Sequence, residues 1–129
     1  MTHVLTYMSN RYTDEQVKEF IGKQKEVLFQ AFSLKADACT AAVRRMDATD
    51  VCANTADAVV MVIYTGAGKG AEVKRRLVKG LTAAATEVLG VTDTAKIVCV
   101  IKEQMSDMIG VNGLLRCNAV EACSAYETK

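Results

Sequence analysis

The sequence predicts an α+β fold, a two-layer sandwich built of tandem βαβ units and finished by a C-terminal β-hairpin. Three observations carry that expectation. Two amphipathic helical stretches of similar length each lie between short β-prone runs. The two halves superimpose with an offset of about 56 residues, Val4 on Val60, Val17 on Val73, Ile21 on Leu77, Leu28 on Ala84, Val43 on Cys99 and Asp47 on Glu103. Finally, Asn112 and Gly113 sit between apolar flanks, the strongest short hairpin signal, because both residues tolerate positive φ.

Residues 3–8 form the first β-prone run. Thr13, Asp14, Glu15 and Gln16 then make a capping box, in which the Thr13 hydroxyl and the Gln16 side chain satisfy amides that the first helical turn leaves open. Val17, Phe20, Ile21, Gln24, Val27, Leu28, Ala31 and Phe32 follow at helical spacing, so a helix runs to about Ser33. Residues 40–46 read as the second strand and the apolar run 58–64 as the third. Glycines at 66, 68 and 70 break that run, and a second helix over 71–89 presents Val73, Leu77, Leu81, Ala84 and Val88 before Gly90 closes it as a C-cap. Residues 96–101 are the fourth strand, and 108–117 the hairpin. Right-handed crossovers place both helices on one face of a four-stranded sheet. The chain reads as one domain, 1–129, with repeats at about 1–57 and 58–129.

The third and fourth strands are apolar at every position, which implies burial on both faces. Two helices cover only one. The other face is expected to lie against neighbouring subunits in a closed homo-oligomer, with the hairpin as a clasp onto the adjacent protomer. A ferredoxin-like module with the same element order predicts a solvated outer sheet face instead, which these strands oppose.

Composition narrows the function classes. Sixteen Lys+Arg against fifteen Asp+Glu leave a net charge of +1, so an electrostatic nucleic-acid binder is disfavoured. The longest apolar run is far short of a transmembrane helix, and the N-terminus lacks a signal peptide's basic and cleavage regions, so no membrane association and a cytoplasmic location are expected. Five cysteines, at 39, 52, 99, 117 and 123, show no C-x-x-C spacing; they read as small hydrophobes in a reducing compartment, and no metal or cofactor is expected. The chain contains no proline, where average usage gives about six.

Several residues are candidates for chemistry. The loop 65–70 joins a strand to a helix, so its amides and Lys69 could hold a carboxylate or phosphate, although the P-loop spacing fails. Arg11, in the matching loop of the first half, could bind a carboxylate bidentately. A glycine-rich turn and a solvated arginine are the plain alternatives. Lys74, Arg75, Arg76 and Lys79 read as a solvated helix face, and Lys102-Glu103 as an ion-paired edge. Arg44 and Arg45 must point to opposite faces of their strand. His3, the single histidine, reads as a packing residue.

The residues resemble the tautomerase superfamily, whose members are βαβ units or tandem fusions assembled into trimers or hexamers. Arg11-Tyr12-Thr13-Asp14-Glu15-Gln16-Val17-Lys18 looks like the arginine-led helix start of the 4-oxalocrotonate tautomerase group. Residues 98–105 and 108–113 look like that group's last strand and hairpin. Residues 2–9 and 68–74 resemble the fused members of the cis-3-chloroacrylic acid dehalogenase and malonate semialdehyde decarboxylase families. The resemblance covers about residues 2–116 and implies a homotrimer with an anion-binding pocket at the end of the first strand near Met1, Thr2, Arg11 and Lys69.

In that family the chemistry rests on an amino-terminal proline; here Thr2 stands in that position. The family's paired arginines before the second helix match Gly66 and Lys69, its helix histidine matches Leu28, its last-strand tyrosine matches Val100 and its hairpin glutamate matches Val111. The dehalogenase reaction, which needs a water-activating carboxylate, is therefore not expected. The resemblance implies a pocket with Met1 and Thr2 as catalytic candidates, through an α-amine whose ordinary pKa is near ~7.7 to 8, and Arg11, Lys69 and Asn112 as substrate-binding candidates. Two functions follow: weak keto-enol tautomerase activity on a small 2-oxo acid, or non-catalytic binding of a small carboxylate or a protein partner.

Overall fold

The computed structural model describes residues 2–33, 38–52 and 56–118. Met1, Cys123 and the end of the second repeat lie outside them. The first strand, β1 (Thr2–Ser9), alternates strictly: Thr2, Val4, Thr6 and Met8 are buried, and the residues between them are partly exposed. That period of two marks a sheet covered on one side. Helix α1 (Asp14–Phe32) starts as the sequence requires, with the Gln16 amide donating to Thr13 Oγ1 at 3.1 Å and the Thr13 amide donating to Gln16 Oε1 at 3.0 Å. Strand β2 (Cys39–Met46) completes the first unit.

The second unit repeats the first: β3 (Val59–Gly66), α2 (Ala71–Leu89) and β4 (Ile97–Gln104). Gly90 caps α2 in the left-handed region at φ 70°. Strand β4 runs past the expected stop at Ile101 because Tyr64, Thr65 and Gly66 of β3 supply ladder partners for Lys102, Glu103 and Gln104. The helix starts at Asp14 and Ala71 differ by 57 residues, as do the strand starts at Thr2 and Val59, so the repeat offset is 57 rather than 56. One residue matters here, since a single step along a strand moves every side chain to the other face. Buried Val4 corresponds to buried Met61, whereas Val60 faces outward.

The sheet order is β2-β1-β3-β4, with β1 parallel to β2, β3 parallel to β4 and β1 antiparallel to β3. Each parallel pair is adjacent, so neither βαβ unit is split by an inserted strand, as it would be in a ferredoxin-like module. Between sheet and helices lies a core of Val4, Met8, Phe20, Leu28, Phe32, Val59, Met61, Ile63, Leu77 and Leu81. One polar pair is enclosed with it: Gln24 Nε2 donates to Thr6 Oγ1 at 2.7 Å, and Gln24 Oε1 has no partner. The helices approach closely at Gly80, where a Cβ would stand 2.8 Å from Val27 Cγ1.

Among the described residues, no helix covers the opposite face of the sheet. Its rows follow from the registers: Arg44, Tyr7, Val60 and Val98 in one, Ala42, Leu5, Val62 and Val100 in the next, and Thr40, His3, Tyr64 and Lys102 at the end. Val98 and Val100 are 42% and 40% exposed, unusual for a strand whose sequence reads as core. Arg44 therefore faces outward, while Arg45 turns to the helix side and pairs with Asp14 at 2.8 Å. Beyond β4 the hairpin β5 (Gly110–Val111) and β6 (Leu114–Leu115) turns at Asn112 (φ 57°) and Gly113 (φ 79°), two positive φ values in succession. It forms its own two-stranded sheet, and Leu114 and Leu115 remain exposed. No helix of the described residues is long and apolar enough to cross a membrane.

Candidate functional site

Antiparallel pairing of β1 with β3 sets the start of one strand against the end of the other. It brings Thr2 and Thr65, both about 1% exposed, to an Oγ1 to Oγ1 distance of 2.9 Å. Two hydroxyls buried at a strand end satisfy each other because either can donate. The next residue, Gly66, is buried and ends β3. The Arg116 guanidinium occupies the space that a side chain at Gly66 would need. From the following loop, Lys69 folds back so that Nζ donates to the Gly66 carbonyl at 3.2 Å and lies 5.5 Å from the Phe32 ring centroid. Helix α2 begins immediately after, at an N-cap glycine, Gly70, that offers no side-chain acceptor, so the open amides and positive end of its dipole belong to the same corner.

The corner is cationic. Arg116 is 7% exposed, and its charge adds to burial in pushing the Lys69 pKa below its ordinary value of 10.5; burial is the larger cause, and Glu103 acts weakly the other way. Glu103 is itself paired with Lys74 at 2.7 Å. Glu103 on the edge strand is thus ion-paired, as expected, and Lys74 departs from the solvated helix face expected of it. Lys102 instead lies over the Tyr64 ring on the outer face, 5.8 Å from its centroid. Alongside the corner, His3, Tyr64, Thr65, Gln104 and Ile109 line a cavity of ≈ 130 Å³. Its wall is braced by His3 Nδ1 to Thr40 Oγ1 at 2.8 Å and by His3 stacked on Tyr64.

Of the sequence-derived candidates, Thr2 and Lys69 come together, and Arg11 does not join them. Eight residues of β1 separate Thr2 from the loop that carries Arg11, an extended span of roughly 25 Å. At that far end Arg11 donates to Asp57 at 2.7 Å and to the Tyr12 hydroxyl at 3.0 Å, and Lys96 reaches the other Asp57 oxygen at 3.4 Å. The tyrosine hydrogen bond, ahead of the Asp57 charge, raises the Arg11 pKa. One carboxylate thus answers both cations there. Asn112 lies exposed at the hairpin tip, where its left-handed backbone serves the turn. Sequence reasoning missed Arg116. Its only local signal was an arginine directly after the hairpin, and its partner position, Gly66, is fifty residues away. Among the described residues no group of three His, Cys, Asp or Glu side chains converges as a metal site.

Residues 60–116, which span β3, α2, β4 and the hairpin as far as Arg116, match the family model described as tautomerase enzyme. No curated protein matches the sequence. Solved structures match the fold throughout: a fused 4-OT described as an asymmetric trimer, at TM-score 0.83 and 16% identity over 90% of this chain and 97% of that one; a fused 4-OT described as a symmetric trimer, at 0.83 and 18% over 89% and 98%; and a malonate semialdehyde decarboxylase inhibited by 3-bromopropiolate, at 0.78 and 16% over 92% and 95%. The second repeat thus matches the tautomerase family model, and the chain as a whole shares its fold with these solved structures.

Proposed function

We propose that the protein is a homotrimer that binds a small 2-oxo carboxylate at the corner of Thr2, Lys69 and Arg116 and catalyses proton transfer between its keto and enol forms. The observation that carries this reading is the juxtaposition of Lys69 and Arg116 around Gly66, beside the start of β1. A carboxylate in that field gains charge-assisted hydrogen bonds. Keto-enol exchange then needs one group that removes a proton from C3 and returns it to oxygen or carbon. Two amines are candidates for this role: an α-amine on Met1, or on Thr2 once methionine is removed, and Lys69 Nζ. None of the 129 residues is proline, so a secondary amine is not among them.

Trimer formation is supported by the uncovered apolar rows of the sheet and by the trimers described for the fused 4-OT structures. In that assembly the hairpin, with Leu114 and Leu115 exposed, clasps a neighbour, and the 129 residues act as one domain in the cytoplasm, with no nucleic-acid or membrane partner. The deciding experiment is ketonisation of phenylpyruvate and 2-hydroxymuconate by wild type, Arg11→Ala and Lys69→Ala. The proposal predicts activity that Lys69→Ala abolishes. Carboxylate binding without any ketonisation would instead establish a non-catalytic binding member of the fold.

A further inference from the structure

We propose that Lys69 works covalently, its Nζ forming an imine with the 2-oxo carbon of the carboxylate bound at this corner; the inference rests on the function proposed above. Lys69 is placed unlike Lys74 and Lys96. Lys74 and Lys96 each face a carboxylate oxygen, at 2.7 and 3.4 Å, which holds the proton on the amine. Lys69 Nζ meets a neutral carbonyl, an aromatic face and the charge of Arg116. Among the described residues, the charges that act on it are Arg116 from beyond β6 and Glu103 from β4, and Glu103 is paired with Lys74 of α2. Burial and a second cation favour the neutral amine, the form that attacks carbonyls.

The chemistry balances without an oxidant or reductant. The neutral amine's lone pair forms the N–C2 bond while the carbonyl π pair moves to oxygen, which takes the proton that leaves nitrogen. A second proton makes that oxygen a leaving group; the C–O bond breaks, water departs and a protonated imine remains. Its positive nitrogen draws electrons from C3, so a C3 proton is lost and an enamine forms. Reprotonation and the addition of one water return ketone and amine. Arg116, held against Gly66, contributes the positive charge that keeps the substrate carboxylate beside the reacting carbon.

The test is reductive trapping. The full-length chain is incubated with pyruvate and borohydride, with and without excess lactate, a carboxylate that lacks the carbonyl, and adducts are located by peptide mass. The expected result is one reduced pyruvate on the Lys69 peptide, suppressed by lactate. Lys69→Arg, which keeps the charge, is expected to bind phenylpyruvate within a few fold of wild type yet lose both the adduct and solvent deuterium exchange at C3. An adduct on the N-terminal α-amine, or exchange that survives in Lys69→Arg, overturns the inference and leaves carboxylate binding intact. Binding of neither pyruvate nor lactate overturns this inference and the proposed function together.

Discussion

The guanidinium of Arg116 rests where Gly66 has no side chain. A residue just past the hairpin is thereby fastened to the last position of β3, and the positive charge of one repeat's end is set beside the Lys69 amine. Gly66 is not needed for its dihedral angles, since its φ lies outside the left-handed region; it is needed for space. Gly66→Ala is expected to displace the Arg116 guanidinium at little cost in stability, since only the end of a flexible side chain must move, and to weaken carboxylate binding. Gly70, whose Cβ would meet nothing within 4 Å, is the control, and Gly70→Ala should leave binding near wild type. Thermal melts and carboxylate titrations of the two variants check this.

Lys69 gives stability a pH dependence of defined sign. Its folded-state pKa is lowered from 10.5, so between the folded value and 10.5 the unfolded chain binds more protons and stability rises with pH. At neutral pH the half-buried charge is a cost. Lys69→Met should therefore be more stable than wild type at pH 7, with the advantage shrinking toward pH ~10 as wild type sheds the proton. Urea denaturation at both pH values measures the two differences.

The helix layer contains two glycines with opposite expectations. Gly22 lies in α1 with open space where its Cβ would be, so Gly22→Ala should stabilise by about 0.5–1 kcal/mol through helix propensity. Gly80 admits α1 to within contact of α2, and Gly80→Ala should cost about 1–3 kcal/mol as Val27 is pushed aside. Chemical denaturation of both single variants gives the comparison.

The enclosed Thr6 and Gln24 pair makes a prediction by cycle. Thr6→Val strips Gln24 Nε2 of its acceptor and should cost about 1–3 kcal/mol, whereas Thr6→Val combined with Gln24→Leu removes both polar partners and the orphaned Oε1. The double variant is expected to be at least as stable as wild type. Denaturant midpoints of the three proteins settle the sign.

Much of the fold was legible because its signals are local. The capping box at Thr13 and Gln16, the left-handed cap at Gly90 and the paired positive φ of Asn112 and Gly113 each depend on neighbours within a few residues. The apolar β3 and β4 likewise announced an outward face that the described residues leave uncovered. The repeat offset was harder, since helices tolerate a shift of one residue and strands do not, and the apolar run at Ala58 to Tyr64 gave no alternation to fix which side chains face in. The site was legible only in half. Thr2 and Lys69 lie beside paired strand ends, but grouping Arg11 with them ignored that an eight-residue strand carries the chain to the far edge of the sheet. Arg116 depends on a tertiary contact for which the sequence holds no spacing rule.

The central claim, that the carboxylate site lies at Lys69 and Arg116, is tested most directly by calorimetric titration of phenylpyruvate into wild type, Lys69→Ala and Arg11→Ala. Losing a hydrogen bond to a charged group should weaken binding to Lys69→Ala by about tenfold or more, while Arg11→Ala binds as wild type does. Unchanged affinity in Lys69→Ala, or loss of affinity in Arg11→Ala alone, would contradict the account.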